Sequence, residues 1–331
     1  MRSAVPFFSH LPPMDAPIGR RRLLLLGSSL GLGACASAPM PSPHPEALQV
    51  AHSAGQEVPG FDLPAGACDC HHHLYDRRYP AHPSATLLPA DASLADYQRL
   101  QRRLGLQRQV IVQPSTYGTD NRLLLDSLHQ AGPSARGVAV LDLDTPDAEL
   151  QRLHAAGVRG VRFNLSFLVG VRAEIMAPLA RRLAPLGWHL QVNGSADLLL
   201  QHQAVLGQLA CPMVVDHMGQ LPQPAGIRHP AFALYRRWLD SGRVWFKLSG
   251  PYITSRRADF SDLDELAAAL LAQAPERLVW GSDWPHPTLK ADEKADDAHL
   301  LDLLARWAPA AALRRRILVD NPARLYDFPS A

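Results

Sequence analysis

Eight short apolar runs punctuate the chain from residue 67 onward, at 67–73, 109–115, 137–142, 158–164, 189–193, 213–217, 244–249 and 278–283. They are nearly continuous in Val, Ile and Leu, the pattern of parallel strands covered on both faces. Between them, apolar positions recur at helical spacing over 94–104, 121–131, 148–156, 175–186 and 260–271. Gly105, Gly132, Gly157 and Gly187 fall just past helix ends, where a left-handed cap is favoured. Eight strand–helix units in about 260 residues predict an α/β fold, a closed (β/α)8 TIM barrel. An open doubly wound sheet would want a Gly-rich turn after its first strand, and Asp69-Cys70-His71-His72-His73 is nothing like one.

The stretch before the first run has a different character. Arg20, Arg21 and Arg22 precede an apolar segment at 23–33 that ends at Ala34-Cys35. A positive region, a short apolar core and small residues before a cut describe an export signal over 1–34, and the paired arginines point to the twin-arginine route. Leu32-Gly33-Ala34-Cys35 resembles a bacterial lipobox, with Cys35 as the lipidation site; ordinary peptidase cleavage near 35–38 is the alternative. Residues 35–60, with Pro39, Pro41, Pro43, Pro45 and Pro59 among Ser and Ala, read as a Pro-rich linker to a body at 61–331. The expectation is an exported, periplasmic protein that meets the membrane only through a lipid on Cys35.

Composition narrows the class further. The balance of 33 Lys+Arg against 31 Asp+Glu, net +2, argues against a nucleic-acid partner. With 47% hydrophobic and 19% charged residues the chain folds, and no apolar run reaches the roughly 18 residues that a spanning helix needs. Four cysteines are too few for a disulfide-built scaffold; Cys68, Cys70 and Cys211 are expected to be reduced and buried.

In a barrel of this kind chemistry gathers at the C-terminal strand ends, and the expected ends are polar. His71 and His73 alternate with His72, so they share one face and turn to the lumen, where two imidazoles suit a divalent metal or a carbonyl oxygen. Asp283 ends the eighth strand, as a base toward water or a metal ligand. His217 ends the sixth, placed to polarise a carbonyl or stabilise an oxyanion. Arg162 has the planar fork that clamps a carboxylate, unless a tip carboxylate such as Asp142 pairs with it. Ser115, Tyr117, Asn164, Asn193, Ser249 and Tyr252 are candidate substrate contacts. His286, between two prolines, is either a further contact or structural.

Several motifs occur in order: Asp69-Cys70-His71-His72-His73, Val112-Gln113-Pro114-Ser115-Thr116-Tyr117-Gly118, Gly160-Val161-Arg162-Phe163-Asn164, Val215-Asp216-His217-Met218-Gly219, Gly281-Ser282-Asp283-Trp284-Pro285-His286-Pro287 and Asp320-Asn321-Pro322. Together they resemble the amidohydrolase superfamily, in the branch of the pyrone-dicarboxylate lactonases and galactarolactone isomerases. The resemblance implies a metal-dependent-hydrolase-like barrel acting on a small carboxylated lactone. His71, His73 and His217 would polarise the carbonyl and Asp283 would deprotonate water. It also implies that no cofactor is required, since this branch can work without a metal. Asn193 stands where metal-binding relatives place a histidine, and the fourth strand has no lysine to bridge two ions. A single zinc or manganese held by His71, His73 and Asp283 is the alternative. Arg162 matches one of several family arginines, and Leu165-Ser166-Phe167-Leu168 supplies no second, which suits a sugar-derived lactone with one carboxylate. The expected activity is lactone hydrolysis. The alternatives are intramolecular lactone isomerisation, metal-dependent decarboxylation, or a barrel retained only for binding.

Overall fold

The computed structural model describes residues 49–329. The export signal, the lipidation site Cys35 and the first part of the linker lie outside the described residues. Eight parallel strands follow in sequence order: β1 (Cys68–His72), β2 (Arg108–Val112), β3 (Ala135–Ala139), β4 (Val158–Asn164), β5 (His189–Asn193), β6 (Met213–Val215), β7 (Val244–Leu248) and β8 (Leu278–Trp280). Backbone bonds from Asp283 N to His71 O (2.8 Å) and from His73 N to Trp284 O (2.8 Å) join the end of β8 to β1. The (β/α)8 TIM-barrel expectation is met.

The helices packed around the strands are α1 (Leu94–Leu104), α2 (Arg122–Ala131), α3 (Asp147–Ala155), α4 (Met176–Leu183), α5 (Ala196–Gln201), α6 (Gln203–Leu206), α7 (Pro230–Asp240), α8 (Asp264–Gln273) and α9 (Asp297–Trp307), of which α1 to α4 and α8 fall on the segments that helical spacing marks. Helix α1 shows why local sequence suffices. Ser93 and Asp96 form a reciprocal capping box at its start, and Gly105 closes it in the left-handed region. The helix expected over 260–271 begins later, because 261–263 form a separate 3-10 turn after Phe260 adopts a positive φ of 56°.

Strand parity sorts the interior into layers. Cys68, Cys70, Val110, Val112, Val138, Val214, Trp245 and Val279 fill the lower lumen and pack on Tyr326 and Phe328. Ile111, Val161, Phe163, Leu190, Val192, Phe246 and Leu278 face the helices. Above the apolar plug the lumen becomes polar. Parity would keep Cys68, Cys70 and His72 on one face, but the register between β1 and β2 slips between Asp69 and His72. Such a bulge re-aims the side chains beyond it. It turns His71 and His73 inward and sends His72 out to stack on Tyr97 of α1, ring centroids 3.5 Å apart.

Residues 49–60, which composition assigns to the linker, lie on the barrel. Val50 is buried, Trp284 Nε1 donates to Ala51 O at 2.8 Å, and Arg103 donates to Ser53 Oγ at 2.6 Å. Cys68, Cys70 and Cys211 are reduced and buried.

Candidate active site

A cavity of about 370 Å³ opens at the C-terminal strand ends, lined by His73, Tyr75, Ser115, Arg162, Asn164, Asn193, His217, Gln220, Tyr252 and Asp283, with Phe167 and Ile253 nearer its rim. Asp283 is its charged centre. The residue sits past the end of β8 with a φ of 60°, a left-handed conformation that Asp tolerates better than most residues. One carboxylate oxygen, Oδ1, faces His71 Nε2 at 3.5 Å, His73 Nε2 at 3.5 Å and His217 Nε2 at 4.0 Å. The other, Oδ2, accepts from Tyr252 Oη at 2.5 Å. Burial pushes the carboxyl up, but the surrounding His217, His73 and His71 rings outweigh it, and the acid is held well below its usual range. It is therefore ionised.

The imidazoles are set by partners around them. His73 Nδ1 lies 2.7 Å from Val112 O, an acceptor only, so the proton is on Nδ1 and Nε2 presents a lone pair. His217 Nδ1 meets the Ser249 hydroxyl at 3.0 Å. With that hydroxyl donating to Nδ1, Nε2 carries the proton toward the cavity. Burial lowers His71 and His217 from the ordinary imidazole value and keeps both rings neutral; on His71, Lys247 adds to the effect.

Residues 217–220 wind left-handed, with φ of 52°, 54°, 72° and 47°. This turn presents both His217 and Gln220 to one cavity. Gly219 is required in it: a Cβ there would stand 2.3 Å from Tyr235 Cε2, and Tyr235 is fully buried. Along the wall, Gln220 Nε2 donates to Asn193 Oδ1 (2.7 Å), Asn193 Nδ2 to Asn164 Oδ1 (2.8 Å), and Asn164 Nδ2 to Ser115 Oγ (3.0 Å). Each amide keeps a second N–H, and Ser115 keeps its hydroxyl proton, for a ligand.

Arg162 pairs with a carboxylate, as its alternative reading had it, but with Asp216 rather than Asp142, which is exposed. Its Nε donates to Asp216 Oδ2 at 3.3 Å, and its terminal nitrogens take no partner among the described residues. The guanidinium is thus held by one edge with the fork free beside the cavity.

Three expected contacts lie elsewhere. The Tyr117 hydroxyl is spent on Asp76, accepting from its N at 2.8 Å. Ser249 orients His217 instead of lining the cavity. His286 is fully buried behind Tyr252, 3.1 Å from its hydroxyl, with Asp297 Oδ2 at 3.2 Å on its other nitrogen.

The sequence reading passed over Asp216, Gln191, Lys247, Gln220 and Asp297. Lys247 had a signal: a charge in the apolar run Val244-Trp245-Phe246-Lys247-Leu248, on the lumen parity of Trp245. Asp297 had none, because the α9 start meets His286 only through the fold.

The donor set fits a single divalent ion. His71 Nε2 and His73 Nε2 are 3.2 Å apart, and each is 3.5 Å from Asp283 Oδ1. Adjacent ligands on a four-coordinate zinc are separated by about 3.3 Å, given metal–ligand bonds of about 2.0–2.1 Å. A second grouping, His71, Asp216 and His217, does not suit one. The Lys247 ammonium already stands 3.0 Å from His71 Nδ1 and 3.5 Å from Asp216 Oδ1.

Comparison with known proteins places these features in a lineage. A family model described as amidohydrolase matches residues 68–328. The chain is 39% identical to a 2-pyrone-4,6-dicarboxylate hydrolase of Comamonas testosteroni, over 82% of this chain and 94% of that one. It is 32% identical to a D-galactarolactone isomerase of Agrobacterium fabrum, over 82% and 94% of the two chains. Among solved structures, an apo protein of Agrobacterium tumefaciens superposes with a TM-score of 0.79 at 31% identity, covering 85% of this chain and 99% of that one.

Proposed function

The chain belongs to the amidohydrolase family, and from that premise we propose that it is an enzyme that opens a small carboxylated lactone. The named relatives support lactone chemistry. The observation that carries the reading is Asp283, an ionised carboxylate between three imidazoles, in the cavity that Arg162 also lines.

Arg162 anchors the substrate carboxylate. Asp283 takes a proton from water, and the hydroxide adds to the lactone carbonyl carbon. The oxyanion that develops receives the His217 Nε2 proton as a hydrogen bond, with Ser249 holding the ring in that tautomer. Collapse breaks the bond to the ring oxygen, which recovers the proton from Asp283, so the product is an open-chain acid. Tyr252, backed by His286 and Asp297, keeps Asp283 oriented throughout. His71, His73 and Asp283 are the residues that would hold a divalent ion, which when bound supplies Lewis-acid polarisation of the carbonyl or of water.

A second reading, isomerisation, is favoured by the amide wall of Gln220, Asn193 and Asn164. Its Gln220 Oε1 acceptor and Ser115 hydroxyl, beside the spare N–H groups, suit substrate hydroxyls, which both donate and accept, more than a dicarboxylate, which only accepts. There Asp283 takes the proton from a substrate hydroxyl, and the ring re-forms at another oxygen without net water.

The test is a panel of sugar-acid lactones and pyrone carboxylates, with products identified by NMR. An open-chain acid means hydrolysis and an isomeric ring means isomerisation. Asp283→Asn should cost about 10²–10⁴ in kcat, the contribution of a positioned base. Full turnover by that variant would overturn the assignment.

A further inference from the structure

Lys247 is fully buried in the lumen, reaching up from β7 beneath the histidine cluster. Its ammonium has three N–H donors and no lone pair. Two go to acceptors at short range, Cys70 O at 2.9 Å and Gln191 Oε1 at 2.8 Å. The third has His71 Nδ1 at 3.0 Å. Asp216 Oδ1 stands 3.2 Å from the same nitrogen and 3.5 Å from the ammonium, yet it is aligned with neither donor direction. A buried carboxylate oxygen beside an imidazole nitrogen would ordinarily accept its proton. Here the lysine holds the position instead.

We propose that Lys247 is a positioning residue that fixes the tautomer of His71, keeping its proton on Nε2 and thereby setting how strongly the His71–His73–Asp283 cluster takes a metal ion. A nitrogen facing an ammonium must accept, so the His71 proton goes to Nε2. There it meets His73 Nε2 at 3.2 Å, which accepts because the other His73 nitrogen donates to Val112 O. Lys247, His71, His73 and Val112 form one head-to-tail chain with every proton placed. The opposite tautomer, with Nδ1–H turned to Asp216, would set two Nε2 lone pairs against each other and beside the Asp283 carboxylate. That arrangement is stable only with a cation among the three. Ligation by His71 therefore requires its proton to pass from Nε2 to Nδ1, against the lysine, and Asp216 is the acceptor waiting for it.

The proposal rests on the reading of His71, His73 and Asp283 as the reacting cluster, but its test uses no substrate. Nitrogen-15 NMR of the chelator-treated protein, with His71 identified by the signal lost in His71→Gln, should show the Nε2–H tautomer. In Lys247→Met it should show Nδ1–H. Zinc affinity by competition with a chromophoric chelator should rise about ten- to a hundredfold in that variant, the usual scale for groups that orient a metal ligand. An Nδ1–H tautomer in the parent protein, or equal zinc affinities in the two, would overturn the proposal. The parent spectrum alone decides the first point should Lys247→Met fail to fold. An Asp283→Asn enzyme with full turnover would remove the catalytic reading and leave these measurements standing.

Discussion

Gly219→Ala should damage both fold and turnover, by amounts the structure lets one separate. The backbone there has a φ of 72°, where a side chain costs about 1–2 kcal/mol. The new Cβ would lie 2.3 Å from Tyr235 Cε2, whereas carbon atoms rest at about 3.5–4.0 Å, so something must move by more than about 1 Å. Tyr235 cannot yield. It is fully buried, flanked by the Trp238 and Phe246 rings, and its hydroxyl donates to Gly219 O at 2.6 Å. Overpacking of this kind adds about 1–3 kcal/mol. The sum, about 2–5 kcal/mol, corresponds to a fall in Tm of about 3–9 °C for a domain of this size. Because the turn moves rather than the ring, His217 and Gln220 are displaced, and about 1 Å of misplacement costs about a hundredfold in rate. Gly105→Ala is the control. Its φ is 77° and nothing lies within 4 Å of the added Cβ, so it carries the left-handed penalty alone and leaves the site untouched. The assay is a thermal melt by circular dichroism beside kcat on the best lactone of the panel. Gly219→Ala matching Gly105→Ala in both would refute the argument that packing of this turn aims His217.

Two further predictions concern stability and specificity. His71, His72 and His189 are fully buried and lowered by desolvation, so their folded forms bind fewer protons than the unfolded chain, and stability must fall as pH drops below about 6.5. At pH 5.5, below the unfolded imidazole value, the loss is on the order of 1 kcal/mol for each. Asp69 opposes it: burial raises that acid to about 6, a stabilisation that grows on acidification and returns a little under 1 kcal/mol. Urea denaturation should report a stability lower by a few kcal/mol at pH 5.5 than at pH 7.5, and equal midpoints with equal slopes would contradict neutral burial. Gln220→Leu removes one end of the amide wall. It should lower kcat/KM for hydroxylated lactones about three- to tenfold, the scale of one neutral hydrogen bond, and spare pyrone carboxylates. A uniform loss across the panel would mean the wall is scaffolding.

What the chain dictates locally was legible without a structure. Parallel strands buried on both faces read as unbroken apolar runs, and helix ends carry their own caps, so the barrel and its strand ends followed from spacing. His71, His73, His217 and Asp283 were visible because a polar residue ending an apolar run has few reasons to be there. The remainder depended on contacts between residues distant in sequence. Only the β1 bulge puts His71 and His73, rather than His72, in the lumen with Asp283. Only the barrel brings Lys247, Asp216, Gln191 and Arg162 into one buried charge network under the site. The same holds for Tyr117, Ser249 and His286, whose residue types invite substrate contact but whose hydrogen bonds are taken up by Asp76, His217 and Asp297. A side chain's chemistry is written in its identity. Which partner uses that chemistry is decided by closure of the barrel, which lays strands separated by more than a hundred residues side by side.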